Sequence, residues 1–248
     1  MIRLRRSRKL RGLISVFMAV VMVMQMVASA SAHNSDIFGG TYFAASPISL
    51  SQLNFAVINA ENSLLTLNVI RGGVFVWGGQ SSRVRFGTVE RMTNTEYTRR
   101  FTVNRESIIP IVGHRFPTTT GGGIVLGEVV AQNQNGAEVG VNSNWYSVEI
   151  RLNSNPLAWG VDSISETTRR QRATKTVMHE VGHVLKLAHP ARGASSSSII
   201  GHNVSGTSGG VAGWYPRAVM NVGFPNNNVI ASAITAHDGN NLRAKWGA

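Results

Sequence analysis

The chain contains no cysteine. That excludes a disulfide framework and leaves stability to the core or to a bound metal. Carboxylates are scarce as well, twelve against twenty-four lysines and arginines. After Glu180 there is no glutamate and a single aspartate, Asp238. Acids between positions 100 and 150 stand singly, so calcium is not supported. The basic residues form no stripe interleaved with aromatics, which argues against a nucleic-acid partner. At 248 residues and 43% apolar content the chain is long enough for one large domain or two modest ones.

Much of the positive charge sits at the start. Arg3, Arg5, Arg6, Arg8, Lys9 and Arg11 precede an apolar run over 12–28, and Ala28-Ser29-Ala30-Ser31-Ala32 supplies small residues for cleavage. Basic, apolar, then A-x-A is the order of a secretory signal peptide, here residues 1–32. Its removal leaves eighteen bases against twelve acids, a net charge of +6 instead of +12. The expected product is a secreted, extracellular or envelope-associated protein with no stable membrane association after cleavage.

The stretch with the most chemistry is HEVGHVLKLAH, residues 179–189. His179 and His183 are four apart, which on a helix stacks both imidazoles on one face. Two nitrogens so placed can share a tetrahedral zinc at about 2.0–2.1 Å each. Glu180 lies about 100° round the helix, where a carboxylate can take a proton from a water without becoming a ligand. An HExxH pattern alone arises by chance in roughly one chain of this length in a hundred. A third histidine ten residues after the first makes accident much rarer. With no later glutamate, the third ligand is to be sought among His189, His202 and His237. His189 is favoured, because a chain leaving the helix just after Leu185 can turn back to the same metal.

HEVGHVLKLAHP resembles the metzincin signature HExxHxxGxxH, and most closely the matrixin-type bacterial metalloproteases. Met220, in PRAVMNVG, resembles that family's Met-turn, and ITAHDGNNLRAKWG resembles its closing helix. The resemblance spans roughly residues 48–248. It implies an α+β (mixed α/β) fold: a twisted, mostly parallel N-terminal sheet with two long helices, then a small C-terminal subdomain with the Met-turn and a final helix. It also implies one catalytic zinc held by His179, His183 and His189, Glu180 as general base, and Met220 as an apolar floor. A second, histidine-rich zinc site of the matrixin kind lacks ligands, since His114 is the only histidine between 34 and 178. The cysteine switch that keeps many matrixins latent is absent. The family's turn glycine falls at Lys186, where a lysine in the left-handed region costs on the order of 1 kcal/mol.

Along the chain, residues 33–47 read as a short leader or arm and 48–248 as the catalytic domain, its upper part ending near 189 and its lower part spanning 190–248. Apolar spacing over 49–64 predicts a helix capped by Ser49 or Ser51. LTLNVI, VFVWG, SRVRFG, RRFTVN and SIIPIVG read as strands, as do residues 123–131 and 145–156, with an Asn-Gly turn at 135–136. The cleft's upper rim, along which the family lays substrate as an added strand, is assigned to Ile124, Val125, Leu126 and Gly127. A capping box at Ser163 and Glu166 starts the long helix. Its Ala173, Val177, Val181, Val184 and Leu185 face the core, while Arg169, Arg170, Arg172 and Lys175 point to water. Residues 191–217 read as a Ser/Gly-rich loop, and 233–246 as a final helix with Leu242 and Trp246 inward.

These features predict a monomeric zinc endopeptidase acting on a protein or peptide substrate. The alternatives are a non-proteolytic zinc-containing envelope protein, with Lys186 as a sign of drift, and a zinc amidase of cell-wall peptides.

Overall fold

The computed structural model describes residues 37–116, 125–159, 165–189, 203–208, 211–216, 219–220 and 233–248, with backbone alone for 203–208 and 211–216. The signal-like segment, residues 33–36, Ile124, Ser163 and His202 lie outside the described residues. Residues Ala32–Ala248 form one compact unit. Among the described residues, no helix is long and apolar enough to cross a membrane.

Five strands, β1 (Leu53–Ile58), β2 (Phe86–Arg91), β3 (Ile108–His114), β4 (Gly127–Gln132) and β5 (Ser147–Asn153), make one sheet in the order β2-β1-β3-β5-β4. β1 runs parallel to β2 and β3, and β3 parallel to β5; only β4 runs antiparallel, against β5. The fold is therefore mixed α/β around a mostly parallel sheet, as the sequence implied.

The helix expected over 49–64 is instead the strand β1, buried along its whole length. LNFAVI is apolar at every position but one, and a continuous apolar run of six fits a strand covered on both faces better than an amphipathic helix. One face of β1 presents Leu53, Phe55 and Val57 to the main core, and the other presents Ala56 and Ile58 to a smaller cluster with Met92 and Ile108.

The first helix comes later. LTLNVI and VFVWG, read above as strands, overlap α1 (Leu67–Phe75), the first in four residues and the second in two. Thr66 caps it by accepting from the Val69 amide, and Glu61 accepts from the Leu67 amide at 2.9 Å. Ile70, Val74 and Trp77 recur at helical spacing and are fully buried. Gly73 lets α1 approach the long helix closely, since a Cβ there would lie 2.6 Å from the Val177 side chain. RRFTVN is likewise helical: α2 (Asn94–Thr98) continues into a π-turn over Arg99–Val103. Tyr97 stacks on Phe101 at 5.6 Å, and Arg100 bridges Glu90 and Glu106 at 2.7 Å each.

The long helix α3 (Glu166–Val184) starts two residues later than the Ser163 cap would place it; Ser165 accepts from the Thr168 amide. Its inward face is the one the apolar spacing gave: Ala173, Val177, Val181, Val184 and Leu185 are all buried. Beyond it, part of the stretch read as a loop forms a two-stranded antiparallel sheet, β6 (Asn203–Ser208) and β7 (Val211–Pro216). Spaced Val, Thr, Trp and Tyr around a Gly-Gly pair carry a hairpin signal that the Ser/Gly richness masked. The chain closes with α4 (Ala236–Trp246).

Candidate metal centre

α3 delivers His179 and His183 to one place, a single helical turn apart, with ring centroids 4.7 Å from each other. His183 Nδ1 donates to the Leu187 carbonyl at 2.8 Å, and His179 Nδ1 donates to the Val219 carbonyl at 2.9 Å. A carbonyl can only accept, so both imidazoles carry their proton on Nδ1 and present a lone pair at Nε2. Burial holds both rings below the usual histidine range, His183 at about 4, which keeps them neutral.

His189 meets them. Its Nε2 lies 3.0 Å from the Nε2 of His179 and 3.0 Å from the Nε2 of His183. Two 2.0–2.1 Å bonds at a tetrahedral angle put ligand nitrogens about 3.3 Å apart, so the spacing suits one small cation. Three ring nitrogens converging on a point, two of them lone pairs that no proton on His189 can satisfy together, fit a zinc ion. Among the described residues this is the one cluster of metal-ligating type. His237 is not in it; its Nε2 pairs with Asn241 on α4.

The route to His189 runs through Lys186. The Lys186 amide bonds the His183 carbonyl and the Leu187 amide bonds the Gly182 carbonyl, a Schellman ending for α3 with Lys186 at its left-handed position. Lys186 has φ = +67°, so the lysine bears the backbone conformation that a glycine would adopt without strain.

Glu180 is buried at 4% exposure, and burial pushes its carboxyl up to about 8. A cation held by the three imidazoles would draw it back toward the ionised form. Lys175, expected in water, is buried as well at 6% exposure. Burial lowers its ammonium to about 8, while the charges of Glu180 and Asp238 pull the other way. The apolar spacing of α3 could not reveal this, because the groups compensating Lys175 include one on a distant helix.

Of the rim residues, Val125, Leu126 and Gly127 lie at the start of the edge strand. Asn153 ties the first two down: its Nδ2 donates to the Val125 carbonyl and its amide to the Leu126 carbonyl. Gly127 abuts the general-base candidate, for a Cβ there would stand 2.8 Å from both Cγ and Oε1 of Glu180. At the far end the return at Glu138 bridges Gln132, and the Val139 amide bonds the Ala131 carbonyl. Among the described residues, no strand pairs with the outer side of Gly127–Val130, which adjoins Glu180.

Met220 is buried directly behind α3, and Gly182 makes room for it: a Cβ at 182 would overlap the Met220 sulfur and lie 3.0 Å from Trp77. Met220 thus underlies the helix that carries the two histidines. Its backbone is held by Asp238, whose carboxylate accepts from the Val219 amide at 2.9 Å and the Met220 amide at 3.4 Å. Asp238 does sit in the first turn of α4, and it also completes a capping box with Thr235. The T-x-x-D spacing carried that second role in the sequence.

No protein-family model matches this sequence, and no curated protein matches it. Among solved structures, the chain is similar to archaemetzincin from Methanopyrus kandleri, with 10% identity and a TM-score of 0.43 over 80% of this chain and 97% of that one. It is also similar to myroilysin, at 12% identity and a TM-score of 0.39 over 87% and 92% of the two chains. A second myroilysin structure gives 11% identity and a TM-score of 0.40 over 87% and 93%. At these values the likeness assigns no role to any residue here.

Proposed function

We propose that the chain is a secreted, zinc-dependent endopeptidase of metzincin, matrixin-like type that acts on protein or peptide substrates as a monomer. The observation that carries this reading is the meeting of the His179, His183 and His189 ring nitrogens, with a buried glutamate from the same helix turn beside them. Export rests on the basic, apolar and small-residue order of residues 1–32.

Zinc bound by the three histidines supplies Lewis acidity to the scissile carbonyl and to the attacking water. Glu180 takes the water's proton at a carboxylate oxygen and later passes it to the leaving amine. The backbone carbonyls of Val219 and Leu187 fix which nitrogen of each helix histidine is free to bind. Among the described residues the outer side of Gly127–Val130 has no partner strand, and it would present amides and carbonyls to an extended peptide. A peptide lying there passes beside Glu180, because nothing larger than a hydrogen projects from Gly127.

A digest of unfractionated casein and of a peptide library tests the reading. Endopeptidase cleavage that stops with chelator and returns with added zinc is the expected result. Cleavage of cell-wall peptides alone would favour an amidase, and no cleavage of either by zinc-loaded protein would favour a binding role.

A further inference from the structure

We propose that Lys186 is a positioning residue of the metal centre, its buried ammonium fastening the turn that carries His189 to the 141–145 loop and, through that loop, to the arm lying over His183. The inference rests on the three histidines binding a metal.

A lysine merely tolerated at a strained turn would extend its ammonium into water, since its long stem allows it. Lys186 does the opposite and is fully buried. Its Nζ donates to the Ser143 carbonyl at 2.8 Å and the Val141 carbonyl at 3.2 Å, and sits 3.3 Å from the centroid of the buried Trp145 ring. The lysine makes these contacts from a backbone at φ = +67°, which a glycine would adopt without strain.

The loop so gripped holds the arm. Asn142 Oδ1 accepts from the Gly39 amide at 2.7 Å, Asn144 Oδ1 from the Thr41 amide at 2.8 Å, and Trp145 exchanges backbone bonds with Thr41 and Phe43. The arm closes the circuit on the turn. The Phe38 amide donates to the Lys186 carbonyl at 2.8 Å, Ile37 bridges Leu187, and the Phe38 ring stacks on His183 at 5.6 Å. From the other side Lys245 Nζ donates to the Phe38 and Gly40 carbonyls. A glycine at 186 would keep the turn and its φ but would remove the direct link from turn to loop, leaving the two joined only through the arm. α3 fixes the backbone of both helix histidines, whereas the backbone of His189 depends on the turn, so the tether acts chiefly on the third ligand.

The test uses the full chain with Lys186→Gly, Lys186→Met and Lys186→Arg, reading zinc affinity by competition with a chelator, folding of the metal-free protein by circular dichroism, and exchange of the Phe38 and Gly39 amides. Both Gly and Met variants should fold, bind zinc about 10–100-fold more weakly than the parent, and exchange those amides faster; the Arg variant should recover part of the affinity. A Gly variant that binds zinc as tightly as the parent overturns the assignment. So does one that fails to fold while the Arg variant folds, since the ammonium would then serve the fold and not the metal. A parent that binds no zinc would instead sink the metal reading of the three histidines.

Discussion

Glu180→Gln lowers peptide turnover by about a thousandfold, within the range by which a positioned acid or base accelerates reactions, and leaves the zinc content unchanged. Glutamine fills the same space beside Gly127 and on α3, so the helix, His179 and His183 stay where they are. What is lost is a group able to take and return a proton. Stability should move the other way. Burial raises the folded carboxyl from 4.5 to about 8, so the folded metal-free protein holds a proton that the unfolded chain has released. That component of stability is present below pH 4.5 and is lost as pH rises toward 8. The Gln variant lacks it and should melt at or above the parent's temperature at pH 8 without metal. Stopped assays, metal analysis and thermal melts together check this; retained turnover in the Gln variant would remove Glu180 from the mechanism.

Gly182→Ala is the second large effect. On helix propensity alone the change should stabilise by about 1 kcal/mol. Packing works against this, because the added methyl overlaps the Met220 sulfur and presses on Trp77, both buried. Overpacking of this kind costs about 1–3 kcal/mol or more, which should cancel the propensity gain and lower the melting temperature by several degrees. The displacement continues into function. Met220 adjoins Val219, whose carbonyl orients His179, so zinc affinity should fall about tenfold or more. Melts with and without zinc decide it, and a variant as stable as the parent would show that Gly182 is not there to admit Met220.

The meeting of the three histidines was legible in the sequence because its geometry is local: one helical turn fixes His179 against His183, and a tight turn returns His189. The inward face of α3 and strands β4 and β5 were legible for the same reason, being periodic within themselves. β1 was not. Its apolar positions satisfy a helical spacing and a doubly buried strand equally, and only pairing with β2 and β3 decides between them. α1 was hidden because Gly72-Gly73 separates the apolar runs LTLNVI and VFVWG; Gly73 is the point where α3 comes close.

Around the site, what escaped were charges whose partners are remote in sequence. Lys175 lies near Asp238 on α4, and Lys186 reaches carbonyls more than forty residues away. The metzincin pattern has glycine at 186, and nothing in HEVGHVLKLAH indicates that the lysine has a buried berth beneath Trp145. The arm was recognised as a segment but not as a neighbour of His183, because the bonds from Gly39 and Thr41 span 103 positions.

Metal content of the purified full chain, set beside that of His189→Ala, tests the central claim most directly. One zinc per parent chain is expected, with X-ray absorption showing three histidine nitrogens around it and the Ala variant losing most of its affinity. A parent without stoichiometric metal, or an Ala variant that binds as tightly as the parent, would contradict the three-histidine centre.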